Sequence, residues 1–152
     1  AVGWLELGNF LEANEELEKI QPQLRAHPDV LYLRYLIYAK AKKWTEAAIL
    51  AQTLVELVPT ESVHWTGFAY ATRRKPDGSI EEARTILQKA ATIFPTEFLI
   101  CFNLACYESQ LGNFTEAKQW LDAALELGDR QIVQGMILND PDLEPLRNHF
   151  GL

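Results

Sequence analysis

Residues 111–117, Leu-Gly-Asn-Phe-Thr-Glu-Ala, contain a motif that recurs along the chain. The glutamate–alanine pair at its end occurs four times, and the alanines are separated by 34, 36 and 34 residues. A large apolar side chain stands three residues before each alanine. The alanines are Ala13, Ala47, Ala83 and Ala117, and the apolar residues are Phe10, Trp44, Ile80 and Phe114. Because residues three apart share one face of a helix, this pattern predicts four equivalent amphipathic helices.

Cap signals and prolines predict where these helices begin and end. Three pairs have the capping-box spacing: Asn9 with Glu12, Ser79 with Glu82, and Asn113 with Glu116. The second repeat instead has Lys43 at the cap position, and a lysine side chain offers no acceptor. Pro59-Thr60-Glu61 and Pro95-Thr96-Glu97 occupy equivalent places, where proline ends one helix and threonine can cap the next. Each repeat therefore contains two helices.

This two-helix unit, with small residues at the helix crossing, resembles the tetratricopeptide repeat (TPR). The fourth repeat shows the resemblance best, in Asn103-Leu104-Ala105-Cys106-Tyr107, Leu111-Gly112-Asn113-Phe114 and Ala124-Leu125. The second repeat has Arg34 where the family usually has leucine. The third fits if the turn at residues 75–78 carries two extra residues, which places Trp65 at the family's tryptophan position.

The resemblance implies an all-α fold, a right-handed superhelix (α-solenoid) of antiparallel helix hairpins in a single domain, 1–152. About three and a half TPR units are expected: 1–28 (partial), 29–59, 60–95 and 96–128. Residues 129–152 are predicted to form a C-terminal capping helix and tail. Apolar residues recur there at helix spacing, and residues 140–146 predict a capped stop followed by a short final turn. Such an array needs a terminal segment with a polar outer face.

Composition excludes several classes of function. The 152 residues are 48% hydrophobic and 23% charged, which is enough apolar material for a packed core. With 14 Lys+Arg against 21 Asp+Glu, the net charge of −7 has the wrong sign for neutralising nucleic-acid phosphates. Apolar runs are far shorter than the roughly 20 residues needed to cross a bilayer. We therefore expect a cytoplasmic protein that binds neither nucleic acid nor a membrane.

Residues able to carry catalysis or bind a metal are scattered. His27, His64 and His149 lack partners at metal-ligand spacing, so no metal site is expected. Cys101 and Cys106 are five residues apart in one predicted helix, so they cannot pair and are expected to be buried thiols. Catalytic and nucleotide-binding motifs are absent from the sequence. We therefore expect no enzymatic activity and no cofactor.

The resemblance implies that a peptide or helix of a partner protein binds in a concave groove lined by the first helix of each hairpin. The family's groove positions fall on Tyr32, Leu36, Ala39, Thr66, Tyr70, Arg73, Phe102, Cys106 and Ser109. Asn103 is the only amide placed for a carboxylate clamp of the kind some family members use, and the lysines expected beside it are absent. An alternative is that some of these side chains, Tyr70 above all, belong to the core.

Cations recur at equivalent places in two adjacent repeats and are predicted to form a basic edge. They are Lys40, Lys42, Lys43, Arg73, Arg74 and Lys75. These charges could steer an acidic partner into place. The alternative is that they complement the negative C-terminal ends of helices without any partner.

The sequence thus predicts a non-catalytic protein-interaction module, adaptor or chaperone-like, of bacterial TPR type. Two alternatives remain open. The partial first unit leaves an apolar face around Trp4, Leu5 and Leu7, which could stack on another copy to form a homo-oligomeric scaffold. The chain could also be a regulatory segment of a larger protein.

Overall fold

A computed structural model describes residues 1–150, and the side chains of residues 1–149. This part of the chain contains ten α-helices and no β-strand, which confirms the all-α prediction. The helices are α1 (Val2–Glu6), α2 (Phe10–Glu18), α3 (Pro28–Lys40), α4 (Trp44–Leu57), α5 (Ser62–Arg74), α6 (Ile80–Ile93), α7 (Phe98–Gln110), α8 (Phe114–Leu127), α9 (Arg130–Asn139) and α10 (Glu144–Phe150). Short 3₁₀ helices lie at Pro22–Leu24 and Pro141–Leu143.

The repeat period of the sequence is the repeat period of the helices. Helices α2, α4, α6 and α8 begin at the four apolar residues that define the pattern: Phe10, Trp44, Ile80 and Phe114. The alanines that follow are all 0% exposed: Ala13, Ala47, Ala83 and Ala117. The predicted small-residue face is therefore the buried face of each helix.

Ala83→Leu is expected to destabilise the protein by about 1–3 kcal/mol, because extra methylenes in a closed core displace their neighbours. Ala83 has no exposed surface, so the larger side chain has no route to solvent. Urea unfolding followed by circular dichroism measures the change. Thr85→Leu is the matched control, since Thr85 is an exposed residue of the same helix. Equal stability of the Ala83 variant and the unmodified chain would contradict the packing role.

The chain divides into two compact units, Ala1–Ser79 and Ile80 onward, and the division falls inside the predicted third repeat. In the first unit, α1 to α5 pack in chain order, each on the next. In the second unit, α6, α7, α8 and α9 also pack consecutively, and α10 returns to contact α7 and α8. Consecutive packing is compatible with a helical repeat array, while the single-domain boundary and the superhelical hand stay predictions.

Arg34, the departure from the family's leucine, makes a polar contact between α2 and α3. Its Nη1 donates to Glu18 Oε1 at 2.7 Å and to Asn14 Oδ1 at 3.2 Å. The Arg34 hydrogen bond and charge hold the pKa of the Glu18 carboxyl below its usual range. The acidic side of α2 is therefore partly engaged in packing the first two repeats together.

The cap predictions are partly confirmed. Asn9 Oδ1 accepts from the Glu12 backbone N–H at 3.2 Å, as expected for α2. Asn113 does not cap α8 through its side chain, because its amide Nδ2 donates instead to Glu108 Oε2 at 2.6 Å.

The predicted threonine caps are wrong. The cap residues of α5 and α7 are Glu61 and Glu97, one position later than the threonines, and neither makes a side-chain cap hydrogen bond. Each threonine lies one residue before the cap position, so its hydroxyl is not at the position from which a cap acts.

Candidate functional site

The groove positions predicted in the first unit lie on α3 and α5 and keep some exposure. Tyr32, Leu36 and Ala39 are half-buried, as are Thr66 and Arg73. Tyr70, for which a core position was the alternative, is 45% exposed. Tyr32, Leu36 and Ala39 also pack on the core cluster that contains Ala47 and Leu54, so only part of each side chain is accessible to a partner.

The groove positions predicted in the second unit are covered. Phe102, Cys106 and Ser109 are only 3%, 3% and 1% exposed, and Asn103 is half-buried. The prediction that they line an open groove requires correction, because the chain's own C-terminal tail packs on α7. Residues of this helix are therefore part of the core of the second unit.

The tail, residues 140–149, contacts α7 through polar groups and contributes buried leucines. Gln110 Nε2 donates to the Asp142 carbonyl at 3.0 Å, and Cys106 Sγ lies 3.8 Å from Asp140 Oδ2. Leu143 and Leu146 are fully buried in the same segment. The predicted capping segment thus folds back on α7.

Tyrosines and a histidine join α3 to α5 in the first unit. Tyr32 stacks on Tyr35 at 6.0 Å between ring centroids and lies 5.5 Å from the His64 ring. The Tyr35 hydroxyl donates to the Gly67 carbonyl at 3.2 Å. Burial raises the pKa of Tyr35 to about 12 and lowers the pKa of His64, so both side chains are neutral near pH 7. Tyr32 therefore packs against Tyr35 and His64 while remaining only half-buried.

Tyr70 is held by a second aromatic contact at the end of α5. Its ring lies 5.7 Å from that of Trp44 in an edge-on arrangement. The Arg74 guanidinium lies 3.4 Å from the centre of the Tyr70 ring and 5.8 Å from that of Trp44. Arg74 Nη1 also donates to the Tyr70 carbonyl at 3.1 Å. These contacts fix the orientation of an exposed aromatic side chain.

The structure brings both halves of the predicted basic edge to one corner of the first unit. Trp44, which directly follows Lys43, contacts Tyr70 and Arg74 at the end of α5. Lys40, Lys42 and Lys43 are exposed. Arg73, Arg74 and Lys75 are half-buried, and Lys75 Nζ lies 3.6 Å from Asp77 Oδ1. We call this surface the basic–aromatic corner: the six cations of the basic edge with Trp44 and Tyr70.

Groups with other chemistry are not assembled into a site. Within residues 1–149, no cluster of side chains could hold a metal ion. Cys101 and Cys106 are buried free thiols, and burial raises the pKa of Cys101, which disfavours the reactive thiolate. The Asp140 carboxylate accepts from the Asp142 backbone N–H at 2.9 Å, as a cap does.

Across the helices that the structure describes, none combines the length and apolar character that crossing a membrane requires.

Sequence reasoning missed a buried polar network in the second unit. The side chain of Glu108, in the last turn of α7 and directly after the apolar residues 104–107, is only 4% exposed. Its Oε2 accepts from Arg84 Nη1 at 3.3 Å and from Asn113 Nδ2 at 2.6 Å. A glutamate at the end of an apolar run is the signal that could have found it, since buried carboxylates require partners.

The apolar face predicted around the first helix is partly exposed. Trp4 and Leu7 are exposed, whereas Leu5 packs on the core cluster that contains Ala13 and Leu17. The Trp4 indole N–H donates to Glu16 Oε1 at 2.9 Å.

A scan against family models and a search of curated proteins both give no significant match to this sequence.

Proposed function

We propose that the chain is a non-catalytic, cytoplasmic TPR-type module, a right-handed array of helix hairpins that binds a peptide or helix of a partner protein. The recurring 34-residue hairpin supports the TPR assignment, and the absence of a converging nucleophile, base and pocket in the sequence supports a binding role. The binding surface of this proposal is the α3–α5 side of the first unit.

One observation carries the proposal: Tyr70 is exposed, yet its ring is held in place by Trp44 and Arg74. Exposed aromatic rings of fixed orientation give a partner a large contact area at a small entropic cost, and tyrosine is enriched among interface hot spots. Tyr32, Leu36 and Ala39 recur along α3 at helix spacing and extend the accessible apolar surface.

Selection from a random peptide library displayed on phage tests the proposal with the full chain as bait. We expect a shared peptide motif whose affinity falls about 30-fold for Tyr70→Ala, the effect of losing one hot-spot residue. Ile132→Ala is the matched control, because Ile132 is an exposed apolar residue of the other unit. Its peptide affinity should equal that of the unmodified chain, and thermal unfolding checks that both variants remain folded.

Selected peptides that bind the Tyr70→Ala chain with unchanged affinity would contradict the proposal, as would a failure to enrich any motif. The alternative of a homo-oligomeric scaffold has its own signature. A dimer in light scattering that is lost on Trp4→Glu would favour self-association through the exposed face of α1.

A further inference from the structure

Two lysines of the basic–aromatic corner occupy positions that their local backbone disfavours. Lys42 has a φ of 56°, in the left-handed region, and glycines hold the equivalent turns at Gly8 (φ 76°) and Gly112 (φ 79°). Lys43 is the N-cap of α4 and makes no side-chain cap hydrogen bond. A side chain with a Cβ is strained in the backbone conformation of Lys42. The Lys43 cation faces the positive end of the α4 helix dipole.

Helix-dipole stabilisation explains only part of this corner. Lys40, Arg73 and Arg74 lie in the last turns of α3 and α5, where a cation is favourable. Lys42 and Lys43 lie beyond the end of α3, and Lys43 is at the wrong end of the next helix. Two consecutive residues that weaken the local structure point to a use for their side chains.

The lysines make few of the contacts that a structural role would supply: Lys43 Nζ lies 5.9 Å from the centre of the Tyr38 ring, a weak cation–π contact at an exposed site. Among the residues whose side chains the structure describes, Lys40, Lys42 and Lys43 make no salt bridge, although the chain has 21 Asp+Glu. The corner holds six of the 14 Lys+Arg. From Ile80 onward there are 5 Lys+Arg against 11 Asp+Glu. Positive charge is thus concentrated at one place in an acidic protein, and among the described residues Lys40, Lys42 and Lys43 carry theirs without a salt bridge.

We propose that the basic–aromatic corner binds an acidic peptide segment of a partner protein, an inference that rests on the proposed function and specifies its ligand. Carboxylates of the segment pair with Lys40, Lys42 and Lys43 in the α3–α4 turn. An aromatic or apolar side chain of the segment packs on the exposed Tyr70 ring. Arg74, already stacked on that ring, supplies the adjoining positive charge.

A peptide suits this corner better than a nucleic acid does. The net charge of −7 repels a polyanion approaching over many phosphates, whereas a short acidic segment meets only the local positive patch.

Fluorescence anisotropy with a defined probe tests the inference. The probe is a fluorescein-labelled peptide of alternating glutamate and glycine with one central tryptophan, and its control has glutamine in place of every glutamate. A single-stranded oligonucleotide of equal charge is the third ligand. We expect the glutamate peptide to bind at least about tenfold more tightly than the other two, with an affinity that falls as salt is raised.

The double variant Lys42→Gly/Lys43→Asn copies the residues found in the turns before α2 and α8. We expect it to weaken binding of the glutamate peptide about tenfold while raising the midpoint of thermal unfolding, because both changes relieve local strain. Lys89→Asn/Lys118→Asn is the matched control. It removes two charges from exposed residues of the second unit and should leave peptide affinity unchanged.

Several results would overturn the inference. These are equal binding of the glutamine peptide, equal or tighter binding of the oligonucleotide, a lower unfolding midpoint for the double variant, or self-association that the double variant abolishes. Selected peptides that depend on Tyr70 but are neutral, and that ignore the double variant, would overturn the acidic ligand and leave the proposed function standing. If Tyr70→Ala left the affinity for the selected peptides unchanged, the proposed function itself would be contradicted.

Discussion

Arg84→Met is expected to lower the free energy of unfolding of the second unit by about 3 kcal/mol. The change leaves the Glu108 carboxylate buried without its counter-ion, and only the Asn113 amide remains to hydrogen-bond it. The Arg84 side chain is 28% exposed, which places the effect at the lower end of the range for a broken buried pair. Urea denaturation monitored by circular dichroism measures the effect.

The double variant Arg84→Met/Glu108→Leu is the decisive control. It removes both charges, so most of the lost stability should return, and the coupling between the two sites should appear in the double-mutant cycle. If the double variant lost as much stability as Arg84→Met and Glu108→Leu lose separately, added together, that result would contradict a direct pair between Arg84 and Glu108.

Leu146→Ala is expected to cost about 3 kcal/mol, because it opens a cavity where α10 is anchored in the second unit. Leu146 is fully buried, and Cys106 is covered in the same region by the tail residue Asp140. Loosening the tail should therefore also raise the rate at which Ellman's reagent modifies the thiols of the folded protein. Reaction kinetics below the unfolding transition measure this rate.

Leu138→Ala provides the comparison, because Leu138 is 68% exposed and its loss should change stability by less than about 0.5 kcal/mol. Its thiol reactivity should match that of the unmodified chain. If Leu146→Ala destabilises the protein but leaves thiol reactivity unchanged, the tail does not shield Cys106 and the account of the covered α7 surface fails.

The helix register could be predicted because it depends on short-range physics. Close approach of two helices requires small side chains, so Ala47 and Ala117 mark buried crossings whatever the rest of the chain does. Helices α4 and α8 begin at Trp44 and Phe114, the apolar residues three positions before these alanines. Caps were less predictable, because Asn113 had a longer-range partner in Glu108.

The candidate site was harder to predict than the fold. Residues spaced i, i+4 and i+7 share a face of a helix, but the spacing does not say what covers that face. Cys106 is buried in a unit whose tail folds back from more than thirty residues further along the chain, whereas Tyr70 stays open at the equivalent position of the third repeat. Exposure therefore depends on long-range packing that periodicity cannot reveal.

The Arg34 contact with Asn14 and Glu18 is specific to the junction between the first and second repeats. The residues equivalent to Asn14 in the later repeats are Ala48, Arg84 and Lys118, and the residues equivalent to Arg34 are Phe68 and Leu104. A copy of the second repeat inserted after the third or fourth would set its arginine against another cation and lose the acceptors found on α2. The second repeat is therefore matched to the first through this junction, and a copy placed elsewhere would lack its polar partners.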